Sequence, residues 1–123
     1  MNRCPIHIEN TRLMIRSLET QDLQALKAMR DDEQVYRYEP TFLAEKQGTP
    51  EEALRALCAM DLVKDRQCVL GVYEKTDPAG FAGLAEFYDY KPSGKVISIG
   101  YRFLSDRWGR GLATAALRPC WRI

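Results

Sequence analysis

The chain predicts an α+β domain in which helices pack on one antiparallel sheet. Three observations carry that expectation. Residues 67–74, 81–90 and 96–104 have strand patterns and are joined by short turns, which predicts a meander. Residues 20–30 and 49–62 carry apolar side chains at helical spacing behind cap signals. The last strand runs into a glycine corner, Trp108-Gly109-Arg110-Gly111, followed by the helix formers Leu112-Ala113-Thr114-Ala115-Ala116-Leu117.

Arg12-Leu13-Met14-Ile15-Arg16 alternates polar and apolar, which predicts a first strand with Leu13 and Ile15 inward. Thr20 then offers an N-cap with Asp22 in the first turn, and Leu23, Leu26 and Met29 form an amphipathic stripe. Between Val35 and Gly48, Tyr36, Tyr38, Phe42 and Leu43 are too apolar for a free linker, and Pro40 interrupts any long helix. In Thr49-Pro50-Glu51-Glu52, Thr49 caps, Pro50 takes the first helical position and Glu52 reaches back as a capping box. Leu54, Leu57, Cys58, Asp61 and Leu62 trace the stripe behind it.

Gln67 to Glu74 is apolar on both faces, as a central strand is. Thr76-Asp77-Pro78-Ala79-Gly80 turns the chain into a strand from Phe81 to Tyr90, where Gly83 marks a bulge or a close neighbour. Lys91-Pro92-Ser93-Gly94 makes the next turn. Val96 to Leu104 comes after it, with Ile97, Ile99, Tyr101 and Phe103 on one face.

Glycines between a strand and a helix let the backbone approach a ligand with no Cβ in the way. The first turn of the helix behind them offers amides without intrahelical acceptors, a natural site for phosphate or pyrophosphate. A tight turn serving the fold alone is the competing reading. A Walker loop fails because no lysine follows Gly111, and a dinucleotide fingerprint would put Thr114 where its third glycine belongs.

The bulk numbers narrow the classes. The 123 residues suit a single domain, 1–123, with an ordinary core. With 18 Lys and Arg against 17 Asp and Glu, no global field recruits nucleic acid or a membrane. No apolar run is long enough for a membrane helix, and Met1-Asn2-Arg3-Cys4-Pro5 has no apolar signal core, so the expected location is the cytoplasm. Arg102, Arg107, Arg110, Arg118 and Arg122 face Asp106 alone in the last stretch, a local patch that suits a polyanion or a solvated face. Cys4, Cys58, Cys68 and Cys120 have no metal-ligand rhythm and read as small buried hydrophobes, and His7 alone builds no zinc site. No metal is expected.

Gly109-Arg110-Gly111-Leu112-Ala113-Thr114, preceded by Ile99-Gly100-Tyr101-Arg102-Phe103-Leu104, resembles the acetyl-coenzyme-A signature of the GNAT N-acetyltransferase superfamily. Within it the chain is most similar to the RimJ/RimL-like branch, which acetylates N-termini of ribosomal proteins and related amines. The resemblance implies a GNAT-like (acyl-CoA N-acyltransferase) fold, N-terminal part only: strand, two helices, three-stranded antiparallel meander, glycine corner and pyrophosphate helix. Pro119 is expected to end that helix, with no further strand behind it. The family continues past this point, so the resemblance also implies a truncated domain, incomplete at its C-terminus and weak or inactive as this short form.

The same resemblance implies a site. Acetyl-CoA would be the co-substrate, with main-chain groups of Phe103 and Leu104 along its pantetheine arm. Trp108 and the amides of Gly109, Arg110, Gly111, Leu112, Ala113 and Thr114 would hold the pyrophosphate, with Arg107 or Arg110 near phosphate. The partner would be an amine acceptor, and Val35 to Gly48 would lie on its side of the site. Glu86 is the candidate base by residue type and strand position; a surface carboxylate is the other reading of it. Deprotonating a lysine costs roughly 4.6 kcal/mol at neutral pH, against about 1.4 kcal/mol for a protein N-terminus. The α-amine is therefore the easier acceptor for a chain without an obvious base. A rival from another class is a non-catalytic interaction fragment that self-associates or pairs with a partner through the open edge of the Val96–Leu104 strand.

Overall fold

The computed structural model describes residues 7–9, 12–37, 43–75, 80–91, 93–94, 96–107 and 120–122. Among them, six strands form one antiparallel sheet: β1 (His7–Glu9), β2 (Leu13–Arg16), β3 (Cys68–Glu74), β4 (Phe81–Lys91), β5 (Val96–Phe103) and β6 (Cys120–Arg122). Their spatial order is β5-β4-β3-β2-β1-β6. The helices are α1 (Leu23–Arg30), α2 (Pro50–Ala59) and the short α3 (Leu62–Asp65).

Alternation places the core as expected. Leu13 and Ile15 of β2 are buried, and every residue of β3 is buried because β2 and β4 flank it. One face of the sheet gathers Ile8, Leu13, Ile15, Leu70, Val72 and Phe87, with Ile97, Ile99, Tyr101 and Phe103 of β5 packed against them. On the other face Val69 and Leu84 meet Leu26 and Met29 of α1 and Leu54 and Leu57 of α2. The two helices thus cover the face that also carries Glu86, since Leu84 and Glu86 are two residues apart on β4.

The Thr49 box forms as expected: the Glu52 amide donates to Thr49 Oγ1 at 3.1 Å, and the Thr49 amide donates to Glu52 Oε1 at 2.9 Å. Several expectations need correction. Thr20 does not cap α1; it lies inside a 3-10 turn, Thr20–Asp22, and the Glu19 amide donates to Asp22 Oδ2 at 2.8 Å instead. The second stripe does not run on to Leu62, because α2 stops at Ala59 with Met60 extended, and Leu62 joins the core on the opposite face. Cys68 is buried in the core as expected but is also disulfide-bonded, whereas Cys58 is only half-buried and its thiol donates to the Leu18 carbonyl.

Two strands go beyond the sequence expectation. β1 pairs with β2 (Ile8 opposite Ile15), and β6 pairs with β1 (Ile8 opposite Trp121), so a strand does follow Pro119. Each is three residues long, too short to show periodicity. β5, by contrast, has β4 as its one strand neighbour among the described residues and so stands at the sheet edge.

Gly83 resolves the bulge question. Both features are present: the register of β3 on β4 shifts between Val72 and Tyr73, and Val72 faces Gly83. A Cβ on Gly83 would collide with the Arg102 carbonyl oxygen and lie 2.7 Å from Phe103 Cα. Gly83→Ala therefore has to push β5 away from β4. The expected loss is about 1–3 kcal/mol of unfolding free energy, read from urea denaturation. An unchanged midpoint would refute the close packing.

Candidate active site

The site grows from one side chain on β5. Arg102 stands opposite Leu84, one cross-strand step from the Glu86–Gly100 pair, and points to the face that carries α1 and α2. Its guanidinium meets two carboxylates. Glu45 takes it in a fork, Nε to Oε2 at 2.6 Å and Nη2 to Oε1 at 3.0 Å, while Nη1 reaches Glu86 Oε2 at 3.0 Å. Tyr36 completes the cluster by donating its hydroxyl to Glu45 Oε2 at 3.1 Å.

Burial is graded along this chain of charges. The Glu45 side chain is 0% exposed, Arg102 9% and Glu86 27%, so the cluster opens toward solvent at Glu86. Desolvation acts to lower the Arg102 pKa, but the hydrogen bonds and charge of Glu45, then those of Glu86, outweigh it and hold the pKa above its ordinary value. Tyr36 is pushed well above its ordinary value by burial and by the charge of Glu45, so its hydroxyl keeps its proton and stays a donor.

Two adjoining clefts open on the cluster. The larger, about 540 Å³, is lined by residues including Asp65, Arg66, Glu86, Tyr88, Gly100 and Arg102. The smaller, about 330 Å³, runs beneath the α1–α2 connection past Ala44, Glu45, Met60 and Val69. Leu43, Gln67, Glu86 and Arg102 border both. Glu86 is thus a cleft carboxylate. Tyr101 borders the larger cleft by its strand position, but its side chain packs on the opposite face, where burial holds its phenol above the ordinary value and its ring stacks on Phe103 at 5.9 Å.

The other expected site residues lie along and just beyond β5. The Leu104 amide donates to the Ala82 carbonyl at 2.8 Å, so that amide is turned inward. In the antiparallel pleat this makes Phe103 and Gly83 a non-hydrogen-bonded pair, and the Phe103 N–H and C=O point away from β4. Arg107 closes a 3-10 turn, Ser105–Arg107, which is tied back to α1: Asp32 Oδ2 accepts from the Ser105 amide at 2.8 Å and from the Ser105 hydroxyl at 2.9 Å. Trp108, Gly109, Arg110, Gly111, Leu112, Ala113 and Thr114 lie outside the described residues.

Sequence reasoning misses Glu45 and misreads Arg102. Glu45 sits in a 3-10 turn, Ala44–Lys46, where an acidic residue between an alanine and a lysine looks solvated. Arg102 reads in sequence as part of a basic patch suited to a polyanion, yet two carboxylates already engage it. No local signal distinguishes these two residues, because they are 57 positions apart. Among the described residues no group of three or more His, Cys, Asp or Glu is placed to hold a metal ion.

A model of the acetyltransferase (GNAT) domain matches residues 12–122, and the chain belongs to that family. It is similar in structure to RimL, the ribosomal L7/L12 alpha-N-protein acetyltransferase in complex with coenzyme A, at TM-score 0.65 and 18% identity over 88% of this chain and 61% of that one. A GNAT-family acetyltransferase from Bacillus anthracis has TM-score 0.64 and 22% identity over 90% and 61%. Spermidine N-acetyltransferase from Vibrio cholerae, in complex with CoA and spermine, has TM-score 0.62 and 16% identity over 88% and 60%. This chain therefore spans about three-fifths of the length of those structures. No curated protein matches it in sequence.

The geometry generates two expectations. Glu45→Ala strands the buried guanidinium with Glu86 alone, and urea denaturation should show a loss of about 3–5 kcal/mol. A loss below about 1 kcal/mol would mean that the fork contributes no more than a surface ion pair. For Asp32, desolvation raises the pKa, but the Ser105 hydrogen bonds outweigh it and leave the carboxyl below its ordinary 3.8. Its contribution to stability is full above pH 3.8 and is lost as pH falls through the lower folded value. Asp32→Asn should thus be less stable than the parent at neutral pH, with the gap closing in acid. A gap that widens below that pH would contradict the assignment.

Proposed function

We propose that the chain carries an N-acetyltransferase domain of the RimJ/RimL-like kind, moving an acetyl group from acetyl-CoA to a primary amine, a protein N-terminus or a small molecule. The observation that carries this is Glu86 in the wall of a cleft beside β5, held on one oxygen by Arg102. Membership of the GNAT family supplies the reaction class. The whole sequence, 1–123, is read as this one domain, acting in the cytoplasm.

Acetyl-CoA brings the acyl group as an activated thioester. Phe103 and Leu104 extend its pantetheine arm as an added strand, with the outward Phe103 amide group the better placed of the two. Arg107, Trp108, Gly109, Arg110, Gly111, Leu112, Ala113 and Thr114 form the diphosphate end, where main-chain amides and arginines balance the anion. Glu86 receives the proton of the acceptor ammonium, directly or through a water. The freed nitrogen lone pair attacks the thioester carbonyl carbon, the carbon–sulfur bond breaks, and the further proton the nitrogen sheds on becoming an amide ends on the departing thiolate. For an N-terminal α-amine, reaching the neutral form at pH 7 costs only about 1.4 kcal/mol, against roughly 4.6 kcal/mol for a lysine.

The edge position of β5 favours a second reading, a non-catalytic fragment that self-associates through that edge. Calorimetry and size-exclusion chromatography separate the two. Acetyl-CoA binding that falls at least about tenfold in a Gly109→Val, Gly111→Val double variant supports the transferase reading. A stable dimer with no acetyl-CoA binding supports the edge reading. Where turnover is measurable, Glu86→Gln should lower kcat by about 10²-fold or more with little change in KM, and an unchanged kcat would remove Glu86 from the chemistry.

A further inference from the structure

Two glycines lie on the β4–β5 pair, and the fold accounts for only one. Gly83 is required by packing, since a Cβ there would meet the backbone of Arg102 and Phe103. Gly100 is different. It has no positive φ, and among the described residues a Cβ placed on it meets only Tyr88 Cε1, at an ordinary contact distance of 3.8 Å. A glycine in the interior of a strand weakens it, so neither backbone conformation nor described packing explains why this position has no side chain.

Register shows what the missing side chain achieves. Gly100 stands directly opposite Glu86, with Tyr88 opposite Ser98 on one side and Leu84 opposite Arg102 on the other. Residues 98, 100 and 102 share a face with residues 84, 86 and 88, the face that opens into the larger cleft. Glycine at this position therefore leaves a gap bounded by Glu86, Tyr88 and Arg102 in the floor of that cleft. A side chain at position 100 would stand between the Glu86 carboxylate and the Tyr88 ring, its Cβ 3.8 Å from Tyr88 Cε1.

We propose that the gap over Gly100 is the slot that receives the acceptor, with the stem next to its primary ammonium lying over the Gly100 backbone and the ammonium directed to Glu86. This rests on the acetyl-transfer reading for the role of the bound amine, though not for the existence of the slot. The stem is an unbranched or lightly branched aliphatic segment, because the gap is the space a side chain at position 100 would fill and the Tyr88 ring borders it. The charge around it favours a cation: Asp65, Glu86 and Asp89 line the cleft against Arg66 and Arg102, and Arg102 is already held by Glu45. Gly100 is thus a specificity-determining residue that sets how bulky the acceptor can be beside its nitrogen. A small-molecule amine and a peptide N-terminus share this chemistry.

The test uses the 123-residue chain with Gly100→Ala and Gly100→Val, n-butylamine and an alanyl tripeptide amide as probes, and acetyl-CoA as the control ligand. Amide shifts of the 15N-labelled protein report where each probe binds, and calorimetry reports acetyl-CoA affinity. In the parent, at least one probe should shift the amides of Tyr88, Gly100 and Arg102; which of them does so identifies the source of the amine. Gly100→Val should weaken that probe at least about tenfold while changing acetyl-CoA affinity less than about twofold. If Gly100→Val does not fold, Gly100→Ala decides, with a drop of at least about threefold in its favour. Probe affinity unchanged in the folded variants, or shifts confined to other surfaces, overturns the slot. Amine binding at the slot without acetyl-CoA binding by the parent would instead overturn the acetyl-transfer reading and leave the slot standing.

Discussion

Arg102 is a guanidinium taken almost wholly out of water, and the surrounding architecture has to answer its charge. Burying a charge is costly unless it is paired with good geometry, and removing either partner leaves the other exposed to the full penalty. The fork to Glu45 supplies that geometry, and it does so across the chain: Glu45 comes from the α1–α2 connection, Arg102 from the edge strand. One interaction therefore holds an irregular segment over the end of the sheet. Tyr36, from the same connection, donates to Glu45 and so braces the segment internally. Glu86 uses the remaining guanidinium nitrogen and marks where the buried cluster meets the cleft.

A comparable arrangement closes the opposite corner of the helix face. Asp22, in the turn before α1, accepts from the Tyr73 hydroxyl at 2.9 Å and lies 3.5 Å from Arg16, whose guanidinium sits 4.0 Å over the Tyr73 ring. Asp32 at the other end of α1 holds the turn that follows β5. Both ends of α1 are thus fastened by carboxylates to the sheet or its loops, while Leu26 and Met29 bury its middle. The apolar contacts set how closely the helix packs. The polar ties select its position along the sheet, and with it the position of the connection that lines the clefts.

Legibility tracks the range of the interactions. β3, the α2 cap and the inward residues of β2 can be read because periodicity and capping act within a few residues. The cleft position of Glu86 is half legible: its strand can be read, but its face and its neighbour cannot. Glu45 is invisible, since nothing in Ala44-Glu45-Lys46 separates a solvated acid from one with no exposure. β1 and β6 escape because a three-residue strand is defined by its partner. Gly83 and Gly100 look alike as strand glycines, and only the cross-strand register tells the one that backbone crowding requires from the one that, among the described residues, meets only the Tyr88 ring at an ordinary distance.

The order of residues by itself determined the α+β class, the central buried strand, the position of the second helix and the membership signalled by the Ile99–Leu104 and Gly109–Thr114 motifs. Those features depend on short-range periodicity, caps and local backbone freedom, all of which act through neighbours in the chain. Only the tertiary structure decided which carboxylates meet Arg102, which glycine faces a cavity and which strands form the outer sheet. These depend on pairings between residues far apart in sequence, where a charge or a missing side chain gains meaning only from what folding brings beside it.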